Sequence, residues 1–319
     1  MRIELAILEI TNFCNLKCKH CYGFFKEPVT MDLNKFEKVV EELYNQGCTK
    51  VVISGGEPLM IGDTIKEYVS ILKRYNIPFI ALTTNGTLDT VKDINIFKMF
   101  DLIQVSIDGK KETHENIRGL NTYEKSLEFI KKVQKVNSNF SIMMAVNAIN
   151  YDEIEEVNLL AKELNVKFAL EIVTPCGRGK DLSMITPEQM EKLKKYLIKE
   201  NIDCSDPLSF CNNDLKYFNN NLITGCSAGT KALCIDSKFT VYPCVRMRIP
   251  LGNLCEKSLE EILENEIILN LNNRDKLIGK CSDCKKKYIC GGCRARAYSA
   301  TGNYLGGDEW CIDYEKQNK

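Results

Sequence analysis

The chain has 319 residues, with 43 basic and 43 acidic side chains and 16 cysteines. This length suits one large domain followed by a small one, and the balanced charge makes nucleic acid an unexpected partner. No secretory signal is recognisable at the start, and no apolar run reaches the roughly 20 residues that span a bilayer. We therefore predict a cytoplasmic protein without a membrane partner, whose clustered cysteines are metal ligands or reactive thiols rather than disulfides.

The first 200 residues alternate short apolar runs, predicted as strands, with longer amphipathic runs, predicted as helices. The predicted strands are Ile3–Glu9, Lys50–Ser54, Pro78–Thr83, Leu102–Ser106, Phe140–Val146 and Val166–Val173. The predicted helices are Leu33–Gln46, Thr64–Tyr75, Asp89–Phe100, Tyr123–Val136, Asp152–Leu164 and Pro187–Glu200, with N-caps at Asp32, Asp152 and Thr186. Six β–α units in a row predict an α/β fold, a partial (β/α)6 barrel of the TIM type.

The alternation stops after residue 200, and the composition changes. We predict a barrel domain over residues 1–205, a linker over 206–225 and a small cysteine-rich domain over 226–319. One helix is predicted there, Ser258–Leu271. The rest has too little apolar content for a core of its own, so metal must contribute to its folding.

Three cysteines near the start have the spacing CxxxCxxC: Cys14, Cys18 and Cys21. Three thiolates can hold a four-iron cluster and leave its fourth iron open to a small chelating molecule. Zinc is the alternative, but structural zinc takes four ligands at CxxC or histidine spacings, and the only nearby histidine is His20. The spacing therefore favours iron and sulfur.

With Tyr22 directly after the third cysteine, the run resembles the cluster motif of the radical S-adenosylmethionine (SAM) superfamily. The resemblance implies that the open iron chelates the amino and carboxylate groups of SAM and that Tyr22 is one of the SAM contacts. It also implies that one-electron reduction splits SAM into methionine and a 5′-deoxyadenosyl radical. An open barrel with its active groups at the carboxyl ends of the strands is implied as well.

The second predicted strand ends in SGGEP, residues 54–58. Gly55 and Gly56 would let the backbone approach a ligand closely, and Glu57 offers a carboxylate to an ammonium group. Alone, such a run is usually a turn. Its position resembles the radical SAM motif that holds the methionine amine of SAM, which favours the functional interpretation.

Further polar residues follow the third, fourth and fifth predicted strands. Ser106 and Asp108 could accept ribose hydroxyls, and Arg118 could pair with a carboxylate, although a polar loop is the alternative. This run resembles the S-x-D-G and H-x-x-x-R-G pieces that contact SAM in the peptide-modifying branch of the family. Asn85 and Asn147 are weaker SAM-binding candidates and could equally be turn residues.

Cys176 lies in the TPCGRG run that follows the sixth predicted strand and faces the predicted radical site. A buried free cysteine usually packs as a small apolar residue. A catalytic role, as hydrogen donor in an epimerase, is the alternative.

The C-terminal third contains a second group of closely spaced cysteines, which could bind zinc. Beside a radical SAM motif, the pattern resembles a SPASM domain, which holds two further four-iron clusters. The resemblance implies an outer cluster held by Cys281, Cys284, Cys290 and Cys311. It implies an inner cluster held by Cys226, Cys244 and Cys293.

Two departures from the SPASM pattern leave the fourth inner ligand open. Cys290 and Cys293 are separated by two residues instead of three, and Phe239 replaces a glycine five residues before the second cysteine. Cys211 is the favoured fourth ligand because it lies upstream of the inner set. Cys234, Cys255 or the substrate remain alternatives.

The resemblance implies an enzyme with SAM and three [4Fe–4S] clusters, reduced by a ferredoxin- or flavodoxin-type protein. We expect a monomer that crosslinks or otherwise oxidises a ribosomally made peptide. We expect no fused leader-recognition domain, so a peptide substrate would need a separate recognition protein or would bind directly in the barrel mouth. Val245 replaces the aspartate of sulfatase maturases, which disfavours that activity.

Three alternatives to the crosslinking activity remain. The run from Cys290 to Cys311 resembles haem-pathway SPASM proteins that act on porphyrin side chains. A peptide epimerase is the second alternative. An electron-transfer protein is the third, although it would have no use for SGGEP.

Overall fold

The computed structural model describes residues 2–23, 27–204 and 225–311, and one ten-stranded sheet runs through these ranges. Its strands are β1 Leu5–Thr11, β2 Lys50–Gly55, β3 Phe79–Thr84, β4 Leu102–Ser106, β5 Phe140–Val146, β6 Lys167–Ile172, β7 Asp203–Cys204, β8 Ala232–Ile235, β9 Thr240–Tyr242 and β10 Gly252–Asn253. Neighbouring strands follow the order β10-β9-β8-β1-β2-β3-β4-β5-β6-β7. Strands β1 to β6 pair in parallel with their neighbours in sequence, which confirms the predicted partial barrel.

The helices follow the strands, as a β–α alternation requires. Among the described residues they are α1 Leu33–Asn45, α2 Ile65–Arg74, α3 Lys111–Arg118, α4 Tyr123–Val133, α5 Ile154–Glu163, α6 Pro187–Glu200, α7 Leu259–Leu263, α8 Glu266–Asn272 and α9 Arg294–Thr301. The predicted cap Asp32 accepts the Lys35 N–H at 3.0 Å, and Thr186 forms a capping box. The predicted cap Asp152 is wrong, because a short 3₁₀ turn precedes α5 there.

Two predicted helices differ from the structure for local reasons, and a helix after β4 was not predicted. In place of a helix over Asp89–Phe100 there is a 3₁₀ segment, Ile94–Met99, whose start Asp93 caps. The helix predicted over Ser258–Leu271 is divided into α7 and α8, because the Asn265 side chain accepts the Ile267 N–H and begins a new helix. In the run after β4, where a polar loop was the alternative interpretation, the structure has the helix α3.

The C-terminal strands extend the barrel sheet. β8 pairs in parallel with β1, with Ile7 opposite Cys234, and β9 and β10 add antiparallel neighbours. Apolar side chains from β8 and from α7, including Leu233 and Leu259, belong to the same core as the barrel strands. The C-terminal region therefore packs against the barrel strands and shares their hydrophobic core, as its low apolar content requires. The proposed linker lies almost wholly outside the described residues.

Phe239, the residue that replaces a SPASM glycine, has a φ of 68°. This left-handed conformation costs a side-chain-bearing residue about 1–2 kcal/mol, which explains why glycine suits the position. The Phe239 ring is buried in the core, and Lys35 Nζ lies 5.7 Å from its centroid. Packing of the ring therefore offsets the backbone cost.

None of the helices in the described ranges has both the length and the apolar character that a membrane crossing would require.

Candidate active site

The loop that carries Cys14, Cys18 and Cys21 leaves the carboxyl end of β1. The Cys14 and Cys21 sulfurs accept the backbone N–H groups of Leu16 and Gly23, each at 3.4 Å. Burial raises the pKa of the Cys14 thiol to about 12 and also raises the pKa of Cys18. Since iron binds the thiolate, metal binding at this loop has to release protons and offset the cost of buried charge.

The loop after β6 packs against this cysteine loop. Arg178 donates from its backbone nitrogen to the Cys21 carbonyl at 2.8 Å and from Nε to the Cys18 carbonyl at 3.0 Å. Gly177 has a φ of 58°, and a Cβ there would lie 2.4 Å from the Cys21 carbonyl oxygen. Cys176, directly before it, is half-buried, and burial raises its pKa to about 11. The sixth-strand loop thus fixes the cysteine loop and places Cys176 beside it.

Gly55 and Gly56 are required by the close approach of β2 to the end of β1. A Cβ on Gly55 would lie 2.1 Å from the Thr11 carbonyl oxygen, and one on Gly56 would lie 2.3 Å from the Phe13 carbonyl oxygen. Gly55 also has a φ of 145°. Backbone contact within the protein therefore requires glycine here, in addition to the ligand contact predicted from the sequence.

Glu57 is 1% exposed, and its carboxylate accepts three hydrogen bonds from the protein. Oε1 accepts the Leu59 N–H at 3.0 Å and the Thr84 hydroxyl at 2.7 Å, and Oε2 accepts the Asn85 N–H at 2.7 Å. Burial raises the pKa of Glu57, although these bonds oppose the shift. The carboxylate therefore ties the end of β2 to the end of β3, and an ammonium group would have to share its oxygens with these donors.

Asp108 and Arg118 form a buried ion pair near the cysteine loop. Arg118 Nε donates to Asp108 Oδ2 at 2.6 Å, and the Ala145 N–H donates to Oδ1 at 2.9 Å. Burial tends to raise the pKa of Asp108, but the Arg118 charge outweighs it and holds the pKa at about 2. His20 Nε2 lies 3.4 Å from both Asp108 Oδ2 and Arg118 Nη2. Asp108 thus positions Arg118 against the cysteine loop.

The other predicted SAM contacts lie at the same edge of the sheet. Asn85 Nδ2 donates to Asn15 Oδ1 in the cysteine loop at 3.0 Å. Asn147 Oδ1 accepts the Ile149 N–H at 2.9 Å. Ser106 ends β4 and is buried. The structure therefore gathers these residues at the carboxyl ends of the strands, with the two asparagines also stabilising local turns.

A buried charged cluster that the sequence analysis missed joins the C-terminal region to β1. Arg248 Nη2 donates to Glu9 Oε1, and Glu9 is 1% exposed. The Arg248 guanidinium carbon lies 5.4 Å from the Tyr22 ring centroid and 5.0 Å from that of Tyr242. Tyr22, predicted as a SAM contact, therefore also packs on Arg248. The one feature of the sequence that could have indicated this buried cluster is Glu9, a glutamate within the apolar run LAILEIT.

Arg246, two residues earlier, reaches strand β6. Its Nη1 donates to the Ile172 carbonyl at 3.2 Å and lies 3.7 Å from Glu171 Oε2. The segment from Cys244 to Arg248 therefore contacts both β1 and β6, between which four other strands lie in the sheet order.

The cysteines assigned to the outer cluster lie together. The Cys281 sulfur accepts Arg294 Nη2 at 3.4 Å. The Cys284 and Cys290 sulfurs each accept the backbone N–H two residues further along, at 3.4 and 3.3 Å. The Asp308 N–H donates to the Cys281 sulfur at 3.4 Å, and the Cys311 N–H donates to the Asp308 carbonyl at 2.9 Å. The four thiols thus occupy one region.

The cysteines assigned to the inner cluster come together in a small apolar cluster beside the main core. Cys226 and Cys293 are buried in it with Met247, and Cys244 packs against it. The Cys226 N–H donates to the Cys290 carbonyl at 3.0 Å. The two proposed ligand sets are therefore adjacent.

The candidates for the fourth inner ligand differ in their surroundings. Cys211, the favoured one, lies outside the described residues. Cys255 is exposed, whereas Cys234 is buried on β8, and Arg248 Nη1 lies 3.8 Å from its sulfur. Burial raises the pKa of Cys234 well above its usual value. The fourth ligand remains a prediction.

A second missed cluster holds the C-terminal cysteines in place. Arg296 donates from Nε and Nη2 to the two oxygens of Asp308 at 3.1 and 2.8 Å, and both residues are fully buried. The Asp308 Oδ2 atom also accepts the Cys293 N–H at 2.8 Å. Burial tends to raise the pKa of Asp308, but Arg296 lowers it overall. The two arginines of the CRAR run thus stabilise the positions of the C-terminal cysteines.

Within the described residues, no three His, Cys, Asp or Glu side chains converge closely enough to hold a metal ion as they stand. The donor sets nevertheless have the chemistry that iron–sulfur clusters need. They are groups of sulfur ligands, several of which accept N–H hydrogen bonds.

The fold and the cysteine loop define a radical SAM enzyme, and comparison with known proteins agrees. The model of the radical SAM superfamily matches residues 8–161, and the model of the SPASM iron–sulfur cluster-binding domain matches residues 226–285. An AdoMet-dependent heme synthase from Methanosarcina barkeri is 32% identical over 97% of this chain and 96% of that protein.

Two further proteins are similar over most of this chain. A cysteine-type anaerobic sulfatase-maturating enzyme from Clostridium novyi is 25% identical over 92% of this chain and 88% of that protein. The crystal structure of Streptococcus suis SuiB bound to precursor peptide SuiA superposes with a TM-score of 0.79. It covers 98% of this chain and 76% of SuiB at 19% identity, a likeness that shows the fold.

The chain therefore belongs to the radical SAM superfamily and carries a SPASM domain. Both resemblances identified in the sequence are confirmed, and SAM and iron–sulfur clusters are the cofactors of this family.

Proposed function

We propose that the chain binds a [4Fe–4S] cluster through Cys14, Cys18 and Cys21 and SAM at the adjacent carboxyl ends of the strands. When bound, the two supply a 5′-deoxyadenosyl radical. Arg118 lies beside the cysteine loop, held by Asp108, where its guanidinium can pair with the SAM carboxylate. The backbone of Gly55 and Gly56 and the buried Glu57, Asn85, Ser106 and Asn147 form the surrounding wall.

The substrate that we propose is a porphyrin with carboxylated side chains, on which the enzyme performs an oxidative modification. The observation that carries this proposal is the 32% identity with a heme synthase over nearly the full length of both chains. A haem precursor brings its own large apolar ring, so recognition needs only a few well-placed polar groups. This choice departs from the peptide substrate that the sequence analysis placed first.

The test is an anaerobic assay of the reconstituted enzyme with SAM, dithionite and iron coproporphyrin III. We expect 5′-deoxyadenosine formation to rise with the porphyrin, and the porphyrin mass to change, as read by liquid chromatography and mass spectrometry. The tetramethyl ester of iron coproporphyrin III, which keeps the metal and has no free carboxylates, is the matched control. If cleavage of SAM is unaffected by the tetra-acid and its mass stays constant, the substrate proposal fails.

Peptide modification is the second candidate. It is favoured by the similarity to a sulfatase-maturating enzyme over 92% of this chain. The outcome that would bring it forward is SAM cleavage stimulated by a short peptide encoded beside this gene and not by the porphyrin. A separate leader-recognition protein would then be an expected partner.

For the C-terminal region we propose two auxiliary [4Fe–4S] clusters with the ligand sets described above. An oxidative modification leaves one electron to remove from the substrate radical, and clusters next to the barrel suit that task. Electrons would reach the enzyme from a ferredoxin- or flavodoxin-type protein.

A further inference from the structure

Two arginines of one short segment contact the first and the last of the six parallel barrel strands. Arg248 pairs with Glu9 on β1, and Arg246 binds the Ile172 carbonyl and approaches Glu171 on β6. Strands β1 and β6 are the first and last of the six barrel strands, and β8 and β7 extend the sheet beyond them. The segment therefore links the two ends of the six-stranded unit through its two guanidinium groups.

Arg248 has more N–H donors than its bond to Glu9 uses. A guanidinium offers five N–H donors in a planar fork, and Glu9 takes a bond from Nη2 of Arg248. The Arg248 side chain is 25% exposed, whereas Glu9 behind it is 1% exposed. The Tyr22 and Tyr242 ring centroids lie 5.4 and 5.0 Å from the Arg248 guanidinium carbon. The partly exposed guanidinium therefore has two aromatic neighbours in addition to its buried carboxylate partner.

The arginine pair lies close to the radical site. Arg246 and Arg248 are both charged neighbours of Cys176, in the loop that packs on the cysteine loop through Gly177. Tyr22 is covalently next to Cys21 and contacts Arg248. Among the described residues, the buried hydroxyl of Thr174 at this strand end has no hydrogen-bond partner. The two arginines and the Thr174 hydroxyl, which could form hydrogen bonds with a ligand, therefore lie beside the proposed radical site.

We propose that Arg246 and Arg248 bind two carboxylates of the substrate and thereby set which side chain faces the radical. The proposal rests on the proposed function, because a porphyrin precursor of haem carries several carboxylates on one rigid ring. Arginine suits this task, since its fork binds a carboxylate with two parallel bonds. Glu9 and Glu171 neutralise the charge of the arginines when substrate is absent. They also compete with anions that lack a porphyrin ring to contact the protein.

This arrangement predicts effects of opposite sign at neighbouring positions. Arg246→Gln removes a carboxylate partner and should weaken binding of a tetra-acid porphyrin. Glu171→Gln removes a competing anion from the same arginine and should strengthen it. A merely structural ion pair would lose stability with either change and would not show opposite effects on binding.

The experiment is an anaerobic absorption titration of the reconstituted holoenzyme with iron coproporphyrin III and with its neutral tetramethyl ester. We expect Arg246→Gln, and the double variant Glu9→Gln with Arg248→Gln, each to weaken tetra-acid binding about tenfold or more without changing ester binding. The double variant avoids leaving Glu9 buried without its partner. Glu171→Gln should tighten tetra-acid binding several-fold, and Arg74→Gln, at an exposed ion pair, should match the wild type.

Two outcomes would overturn the proposal and can be told apart. If the wild type binds the tetra-acid but both arginine variants bind it equally well, or Glu171→Gln weakens binding, the arginines are not the carboxylate site and the porphyrin function stands. If the wild type binds neither porphyrin, the proposed function fails and this assignment fails with it.

Discussion

The two cysteine-rich regions of the molecule are held in place by different means. Around the cysteine loop of residues 14–21, strand ends and buried side chains such as Glu57 and Arg178 supply a dense set of hydrogen bonds. Residues 281–311 contain one longer helix, α9, and depend on Arg294, Arg296 and Asp308 around the thiols. The barrel site should therefore survive loss of its iron, whereas the C-terminal region should depend on its clusters for folding.

The largest effect is expected from changing Cys14, Cys18 and Cys21 together to alanine. Formation of 5′-deoxyadenosine with dithionite should be abolished, because no thiolate then holds the cluster that contacts SAM. Iron in the C-terminal region should stay bound, since the barrel wall does not need these thiols to fold. Cys48→Ala, at a buried cysteine away from the loop, is the matched control and should retain cleavage. Persistent cleavage in the triple variant would remove the assignment of the SAM site.

The next largest effect is expected from Arg296→Met, which leaves Asp308 as an uncompensated buried charge. Loss of one partner of a buried pair costs about 3–5 kcal/mol of unfolding free energy, and we expect auxiliary iron to be lost while the barrel stays folded. Arg74→Met, at a pair whose side chains are 60% and 40% exposed, should cost less than about 1 kcal/mol. Equal iron content in the two variants would contradict the difference between the regions.

The histidine contribution to the pH dependence should report on the barrel, because both histidines of the chain, His20 and His114, lie there. Burial lowers the pKa of each to about 4, so the folded state keeps them neutral while the unfolded chain takes up protons below about 6.5. Stability should therefore fall as the pH drops from about 6.5 to 4, by roughly 3 kcal/mol for each histidine.

The measurement is anaerobic denaturant unfolding of the wild type and of His114→Asn across that range. Asparagine can still accept the Asp108 N–H that His114 Nδ1 accepts at 3.2 Å. The difference in slope isolates His114 from the carboxyl groups that titrate nearby. Identical slopes in the two proteins would show that His114 is not held neutral by burial.

The smallest effect is expected from Cys176→Ala. In a crosslinking or decarboxylating reaction, the substrate radical loses a second electron. No thiol is then needed to return a hydrogen atom to it. Turnover should fall modestly through lost packing, and the product should be unchanged. Normal SAM cleavage with a stalled or differently reduced product would instead identify Cys176 as a hydrogen donor and favour an epimerase.

Much of the barrel and the positions of its motifs could be predicted from the sequence. Period-two and helical patterns placed the six strands within two residues, and strands β4 and β5 have the predicted bounds. Asp93 and Asn265 were missed as breaks because their side chains cap backbone groups within otherwise apolar runs. Hydrogen bonds from the backbone to such side chains compete with the helix, and they hardly change the spacing of the apolar residues.

Contacts between distant parts of the chain could not be predicted. Arg248 and Glu9 are 239 residues apart, and the sequence gives no sign that β8 lies beside β1. The arginines of the CRAR run were not singled out from the sequence, yet both are fully buried. The residues of such pairs are recognised only when the tertiary structure brings them together.

Iron and zinc content of the anaerobically reconstituted protein tests the central claim most directly. Three four-iron clusters correspond to about 12 irons per chain, and the triple variant at Cys14, Cys18 and Cys21 should retain about 8. About 8 irons in the wild type would mean a single auxiliary cluster. Zinc in place of iron at Cys281, Cys284, Cys290 and Cys311 would contradict the proposed ligand sets of the C-terminal region.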